Sequence, residues 1–272
     1  MFTSLRPSIT RTAPTSAVFN ARGPIVALAS GQAVVHYRVA IMSKDGDWII
    51  RETAEACTRV LQVLAERGAS YRPGAPLDTR WLAGGWSSHF EFTDEKNRRV
   101  RCDFFSRPPR IAPKAVDALF TSAAEPFLVV DLESLIRMKR TQRAKDYAVI
   151  GELAAQLPPR QELRFTTDAD RILRLAPKYG VDISRAAVQA ALTGNRDAVV
   201  IALAREQDGQ QQQDRARLVA YAAAAEPYLQ AFTRLTAAEK RLPYAHTGIA
   251  ALATRLLPTT IEGTGGGDDA AQ

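Results

Sequence analysis

Only two cysteines, Cys57 and Cys102, and three histidines, His36, His89 and His246, occur in the 272 residues. So few thiols argue against a secreted disulfide scaffold and point to a reducing, cytoplasmic setting. Without a Cys/His cluster there is no basis for a structural zinc site. No apolar run approaches the ~18 residues that a membrane helix needs, so no membrane association is expected. Acidic residues are missing altogether from positions 1–42, which hold Arg6, Arg11, Arg22 and Arg38. Four of the seven net positive charges therefore sit in that stretch, and the basic balance is not by itself a sign of nucleic-acid binding.

That acid-free segment reads as a leader. As a secretory signal it is poor, because its apolar stretch is short and lies behind Arg22. As a transit peptide it fits in composition. The favoured reading is a disordered extension, or an upstream start in place of Met42, with few contacts to the body.

The rest has an ordinary globular composition, 46% hydrophobic and 24% charged. Ile50, Ala54, Cys57, Leu61 and Leu64 recur at helical spacing, so a helix is expected from Asp47 to Gly68. Strand-like runs follow at 79–83, 87–93 and 98–105, with Asp94-Glu95-Lys96-Asn97 as the turn between the last two. Phe90 and Phe92 alternate with His89, Glu91 and Thr93; Val100, Cys102 and Phe104 alternate with Arg99, Arg101 and Asp103. One face of this hairpin is core and the other polar. A short helix at 113–122, a strand at 127–130 and a helix at 132–157, capped by Asp131, complete an α/β domain over 43–158. Residues 159–258 read as an Ala-rich helical domain with a polar linker at 209–213, and 259–272 as a disordered tail. The expected fold class is α+β: a small mixed sheet with flanking helices, followed by a helical bundle.

Three segments carry chemistry. Leu82-Ala83-Gly84-Gly85-Trp86-Ser87-Ser88 ends a strand-like run with two glycines and hydroxyls; Val100-Arg101-Cys102-Asp103-Phe104-Phe105 sets one carboxylate in an apolar strand; and Lys139-Arg140-Thr141-Gln142-Arg143-Ala144-Lys145-Asp146 is a Lys-x-x-x-Arg-x-Lys-Asp pattern. Their order resembles the DNA-polymerase-β-like nucleotidyltransferase superfamily, in particular its AbiE-type toxin branch, over residues 48–157. The resemblance implies Mg²⁺-dependent transfer from an NTP. By position it implies Gly84, Gly85 and Ser87 at the phosphate turn, and Glu91 and Asp103 as catalytic, metal-holding acids. Lys139, Arg143 and Lys145 would meet phosphate, and Asp146 would anchor the helix. The chain departs from the family pattern in having only Glu91 where two carboxylates are usual, and in placing Trp86 between the glycines and Ser87.

Seven bases (Lys96, Arg98, Arg99, Arg101, Arg107, Arg110, Lys114) surround Asp103, as an anion site or as a solvated cationic face. Two hairpin registers are open. In the favoured one Glu91 opposes Asp103, and a metal neutralises the pair; shifted by two, Glu91 faces Arg101 and His89 faces Asp103, with no need of Mg²⁺. The expected function is accordingly a nucleotidyltransferase-fold protein that binds a nucleotide or nucleic-acid phosphate, with Mg²⁺-dependent transfer of NMP from an NTP to an RNA or protein acceptor as its candidate activity. The alternative is an inactive module that binds RNA or a cognate antitoxin-like protein. A scaffold without a ligand is the third possibility.

Overall fold

The computed structural model describes residues 13–43, 45–121 and 127–261. It has two compact units: one runs to Val130 and resumes at Ala220, and the other is the Asp131–Val219 stretch between them. The first is built on a five-stranded mixed sheet. Its elements are α1 (Ala13–Phe19), β1 (Val26–Ala29), α2 (Ser30–His36), β2 (Gly46–Ile50), α3 (Ala54–Glu66), β3 (Ser70–Tyr71), α4 (Thr79–Leu82), β4 (Ser88–Thr93), β5 (Arg99–Phe105) and α5 (Pro113–Leu119). The strands lie in the order β1-β2-β5-β4-β3, all neighbours antiparallel except the parallel pair β2 and β5.

From Ala13 onward the segment set apart as a leader is part of this fold. Phe19 is wholly buried and meets Trp48 and Phe104 edge-on, while Trp48 Nε1 donates to Ser16 Oγ at 2.8 Å. All four residues of β1 are buried. Asn20 ties the entry to β1, its Oδ1 accepting from the Ile25 and Val26 amides and its Nδ2 donating to the Val26 carbonyl. Residues 1–12 lie outside the described residues.

The helix expected from Asp47 starts instead at Ala54, where Thr53 accepts from the Ala56 amide. Gly46–Ile50 is a strand, and Trp48, Ile49 and Ile50 are all fully buried. A strand covered on both faces loses its period of two and can be mistaken for the first turn of a helix. The expected strand at 79–83 is the short helix α4, capped by Asp78. β4 and β5 alternate as the sequence predicts, with Phe90, Cys102 and Phe104 in the core and His89, Glu91, Arg101 and Asp103 on the other face.

The second unit contains α6 (Leu132–Met138), α7 (Lys145–Ala154), α8 (Pro159–Glu162), α9 (Ala169–Tyr179), α10 (Ala186–Leu192) and the first part of α11 (Arg196–Thr233). Its core gathers Leu163, Ile172, Ala176, Ala187, Val188 and Val199. The single helix expected over 132–157 is two, separated by a turn at 139–144. The polar stretch 209–213 is no linker, because α11 runs through it. From Ala220 to Ile261 the chain belongs to the sheet unit: Tyr228 and Phe232 of α11 join the core of the sheet, as do Ile249 and Ala253 of α13 (Ala245–Leu256), which follows α12 (Ala237–Lys240). The expected boundary at 158/159 is thus replaced by boundaries at 130/131 and 219/220. Of the expected tail, 262–272 lies outside the described residues.

Candidate functional site

The hairpin adopts the shifted register. His89 opposes Asp103 and Glu91 opposes Arg101. Glu91 Oε2 accepts from Arg99 Nη2 at 2.5 Å, and lies 3.8 Å from Arg72 Nε. Asp103 Oδ1 accepts from Arg72 Nη1 at 3.1 Å. His89 Nδ1 stands 2.9 Å from the same oxygen, off the line a hydrogen bond requires. Glu91 and Asp103 therefore do not face each other, and each has a cationic partner without any metal. This register needs no metal to neutralise either acid.

The glycine turn also departs from expectation. It follows helix α4 and not a strand, and it is covered by the chain's own residues. A Cβ at Gly84 would lie 1.7 Å from the Thr259 carbonyl oxygen; at Gly85, whose φ is +81°, it would lie 2.5 Å from Tyr221 Oη. Tyr221 Oη donates to the Gly84 carbonyl at 2.7 Å. Both glycines serve close packing, with Thr259 and Tyr221 against the side on which a Cβ would stand. The Ser87 carbonyl accepts from the Ala75 amide at 3.0 Å, fixing the loop that enters β4.

What the sheet does bring together is a different acid. Asp47 on β2 is in direct register with Asp103 on the parallel neighbour β5. Both are half-buried and lie on the polar face, since their neighbours Trp48 and Phe104 share the core face. Asp45 precedes Asp47 by two residues, with its Oδ1 3.8 Å from Arg101 Nη1. Beside them, β1 passes straight into α2 through Ser30, which has a left-handed φ of +51°. Such a conformation is uncommon outside glycine and marks local strain. The next residue, Gly31, has no space for a side chain, because a Cβ there would come within 2.4 Å of Ser43 Oγ. Gln32 Nε2 donates to the Ser43 carbonyl at 2.9 Å, binding the start of α2 to the loop that leads to Asp45 and Asp47. A tight strand-to-helix turn, a serine and paired carboxylates thus share one end of the sheet.

The sequence reading missed this set because it lay in, or at the border of, the presumed leader. The signal was there: Ser30-Gly31, then Asp45-Gly46-Asp47 ahead of a buried strand. Mg²⁺ is held by one or two carboxylates, with water and substrate phosphate oxygens completing its shell. Asp47 and Asp103 fit that demand in donor type and register. Among the described residues no three His, Cys, Asp or Glu side chains converge on a metal position, so the substrate would have to supply the remaining ligands.

Four of the seven bases around Asp103 are held by acids: Arg98 by Asp94, Arg99 by Glu91, Arg101 by Asp45 and Arg107 by Glu52. The Arg98 guanidinium holds the Asp94 carboxyl down to about 2. Arg107 and Ser106 together hold the Glu52 carboxyl below its usual range, against the opposing effect of burial. Burial pushes the Cys57 thiol up to about 12 and raises that of Cys102, so neither is a nucleophile at neutral pH.

Lys139, Arg143, Lys145 and Asp146 belong to the helical unit. Lys139 and Arg143 do not share a helix face, because the turn at 139–144 separates α6 from α7. They meet instead around buried Asp146. Its Oδ2 accepts from Thr141 Oγ1 at 2.7 Å and Arg143 Nε at 2.9 Å, and its Oδ1 lies 3.8 Å from Lys139 Nζ. Lys145 is exposed in the first turn of α7.

No family model and no curated protein sequence matches the chain. Among solved structures it is similar to a candidate nucleotidyltransferase from H. pylori, with 14% identity, a TM-score of 0.39, and coverage of 79% of this chain and 98% of that one. It is also similar to JHP933 from Helicobacter pylori, with 15% identity, a TM-score of 0.39, and coverage of 79% and 97%. Likeness at this level says nothing about chemistry, which rests on the side chains themselves. Among the described residues no helix is long and apolar enough to cross a membrane.

Proposed function

We propose that this chain is a nucleotidyltransferase that binds an NTP with Mg²⁺ and moves its nucleotidyl group to an RNA or protein acceptor. The observation carrying this reading is the register of Asp47 with Asp103 on parallel neighbours, beside the Ser30–Gly31 turn. In this reading Asp47 and Asp103 would hold the cation, which would supply charge neutralisation for the phosphates. The backbone of the half-buried Ser30–Gly31 turn would guide the phosphates, and Asp45, two residues before Asp47, would orient the acceptor. The acceptor oxygen forms its bond to the α-phosphorus as the bond to pyrophosphate breaks.

The AbiE-type toxin branch is the finer part of the proposal, supported by the order Lys139-x-x-x-Arg143-x-Lys145-Asp146. An antitoxin-like partner goes with it, and two buried, unpaired cysteines are in keeping with a cytoplasmic setting. A second reading, an inactive module that binds RNA or a partner protein, is favoured by Arg72 and Arg99, which already satisfy Asp103 and Glu91.

Thermal unfolding with each NTP and Mg²⁺ tests the binding step. A ligand at a hundred times its Kd adds about 2.7 kcal/mol to stability. One or more NTPs should raise the Tm of the wild type and not that of D103N; no shift with any NTP would favour the inactive module.

A further inference from the structure

We propose that Arg72 gates the Asp47–Asp103 pair, disfavouring a bare divalent cation and admitting one that arrives on a triphosphate; this rests on the carboxylate-pair reading above. Arg72 follows β3, and its amide donates to the His89 carbonyl at 2.8 Å, so its backbone is fixed to β4. Gly74 completes the support, since a Cβ there would sit 2.3 Å from the His89 ring. From this anchor the guanidinium reaches two acids: Nη1 is 3.1 Å from Asp103 Oδ1, and Nε is 3.8 Å from Glu91 Oε2. His89 Nδ1 approaches the same Oδ1 at 2.9 Å. Arg72 thus holds one oxygen of Asp103, with the His89 ring beside it, and no hydrogen bond from either reaches Oδ2.

A bare Mg²⁺ placed at Asp103 would add two positive charges beside that guanidinium, which opposes binding. A cation carried on a triphosphate arrives with net negative charge and with phosphate oxygens. Those oxygens suit the planar guanidinium fork at least as well as a carboxylate does. The Arg72 side chain is 26% exposed, so it can turn from Asp103 to phosphate without leaving a packed core. Glu91, relieved of that contact, keeps Arg99 as its counter-ion. Arg72 is in this account a specificity residue: it makes occupation of the carboxylate pair depend on substrate.

Two titrations on the full chain separate this role from a merely structural one. Free Mn²⁺ binding is followed by electron paramagnetic resonance, and binding of Mn²⁺ with a non-hydrolysable ATP analogue by calorimetry, in wild type, R72Q, R72K and D103N. R72Q should bind free Mn²⁺ about tenfold tighter, the scale of removing one nearby like charge from a partly solvated site. It should bind the Mn²⁺–nucleotide complex more weakly than wild type. R72K keeps the charge and loses the fork, so free Mn²⁺ binding stays near wild type while complex binding still falls; this arm suffices if R72Q does not fold. Both affinities moving in one direction in R72Q, or complex binding unchanged in R72K, would overturn the gate. Mn²⁺ binding that survives D103N unchanged, or that no variant shows, would instead overturn the carboxylate-pair reading on which it rests.

Discussion

Asp47 and Asp103 carry like charges on directly opposed positions of adjacent strands. Such placement costs roughly 0.2–1 kcal/mol unless something neutralises it. Arg72 serves Asp103 in that way. A D47N change is expected to abolish any rise in Tm that Mn²⁺ produces in wild type. A rise with Mn²⁺ that survives in D47N would contradict a role for Asp47 beside Asp103. His246 offers a second residue-level test. Burial lowers its pKa, Arg80 adds to that, and Asp78 opposes it, while Tyr71 Oη lies 2.8 Å from its Nδ1. The fold favours the neutral ring, so its contribution is complete above the ordinary histidine value of about 6.5 and is lost as pH falls below it. Replacing His246 by Asn should flatten the decline in Tm between neutral and mildly acidic pH; an unchanged slope would assign that decline to other groups. At this scale the hairpin faces were legible, because alternation of Phe90 and Phe92 with His89 and Glu91 reports directly on the pleat. The register was not, since sliding by two preserves every face and only the turn and the neighbouring strands decide it.

Elements were legible where one face is wet. α3 and the β4–β5 hairpin show their periods plainly. β1 and β2 do not, because β1 is buried at all four positions and β2 at Gly46, Trp48, Ile49 and Ile50. The acid-free composition around β1 then suggested a leader. The consequence is measurable: F19A removes a fully buried ring that meets Trp48 and Phe104, and should cost about 3–5 kcal/mol. Deletion of residues 1–42 should unfold the sheet unit or lower its Tm far more than a dispensable extension could; an unchanged Tm in either variant would detach this segment from the core. α11 makes the opposite point, since Gly209 and the glutamines after it read as a break yet lie inside one helix of 38 residues. A Cβ at Gly209 would meet nothing within 4 Å. G209A should thus stabilise by roughly 0.5–1 kcal/mol in denaturant unfolding, and destabilisation would contradict a continuous helix there.

On the scale of the whole molecule, the sheet unit is discontinuous in sequence, taking Tyr228, Phe232 and Ile249 from the C-terminal stretch into its core. Helical periodicity says which face of a helix is apolar but not which core it joins. That is why the α+β class was readable and the boundaries were not. The same discontinuity in the reading hid the Ser30–Gly31 turn and Asp47, leaving Glu91 as the only visible companion for Asp103. In the proposed nucleotidyl transfer Asp47, and not Glu91, pairs with Asp103. The most direct test incubates wild type, D47N, D103N and E91Q with each α-labelled NTP, Mg²⁺ or Mn²⁺, and bulk tRNA, and follows label into the acceptor or into the protein itself. Wild type and E91Q should transfer label, and D47N and D103N should not. Transfer that survives D47N and fails in E91Q would contradict that pairing.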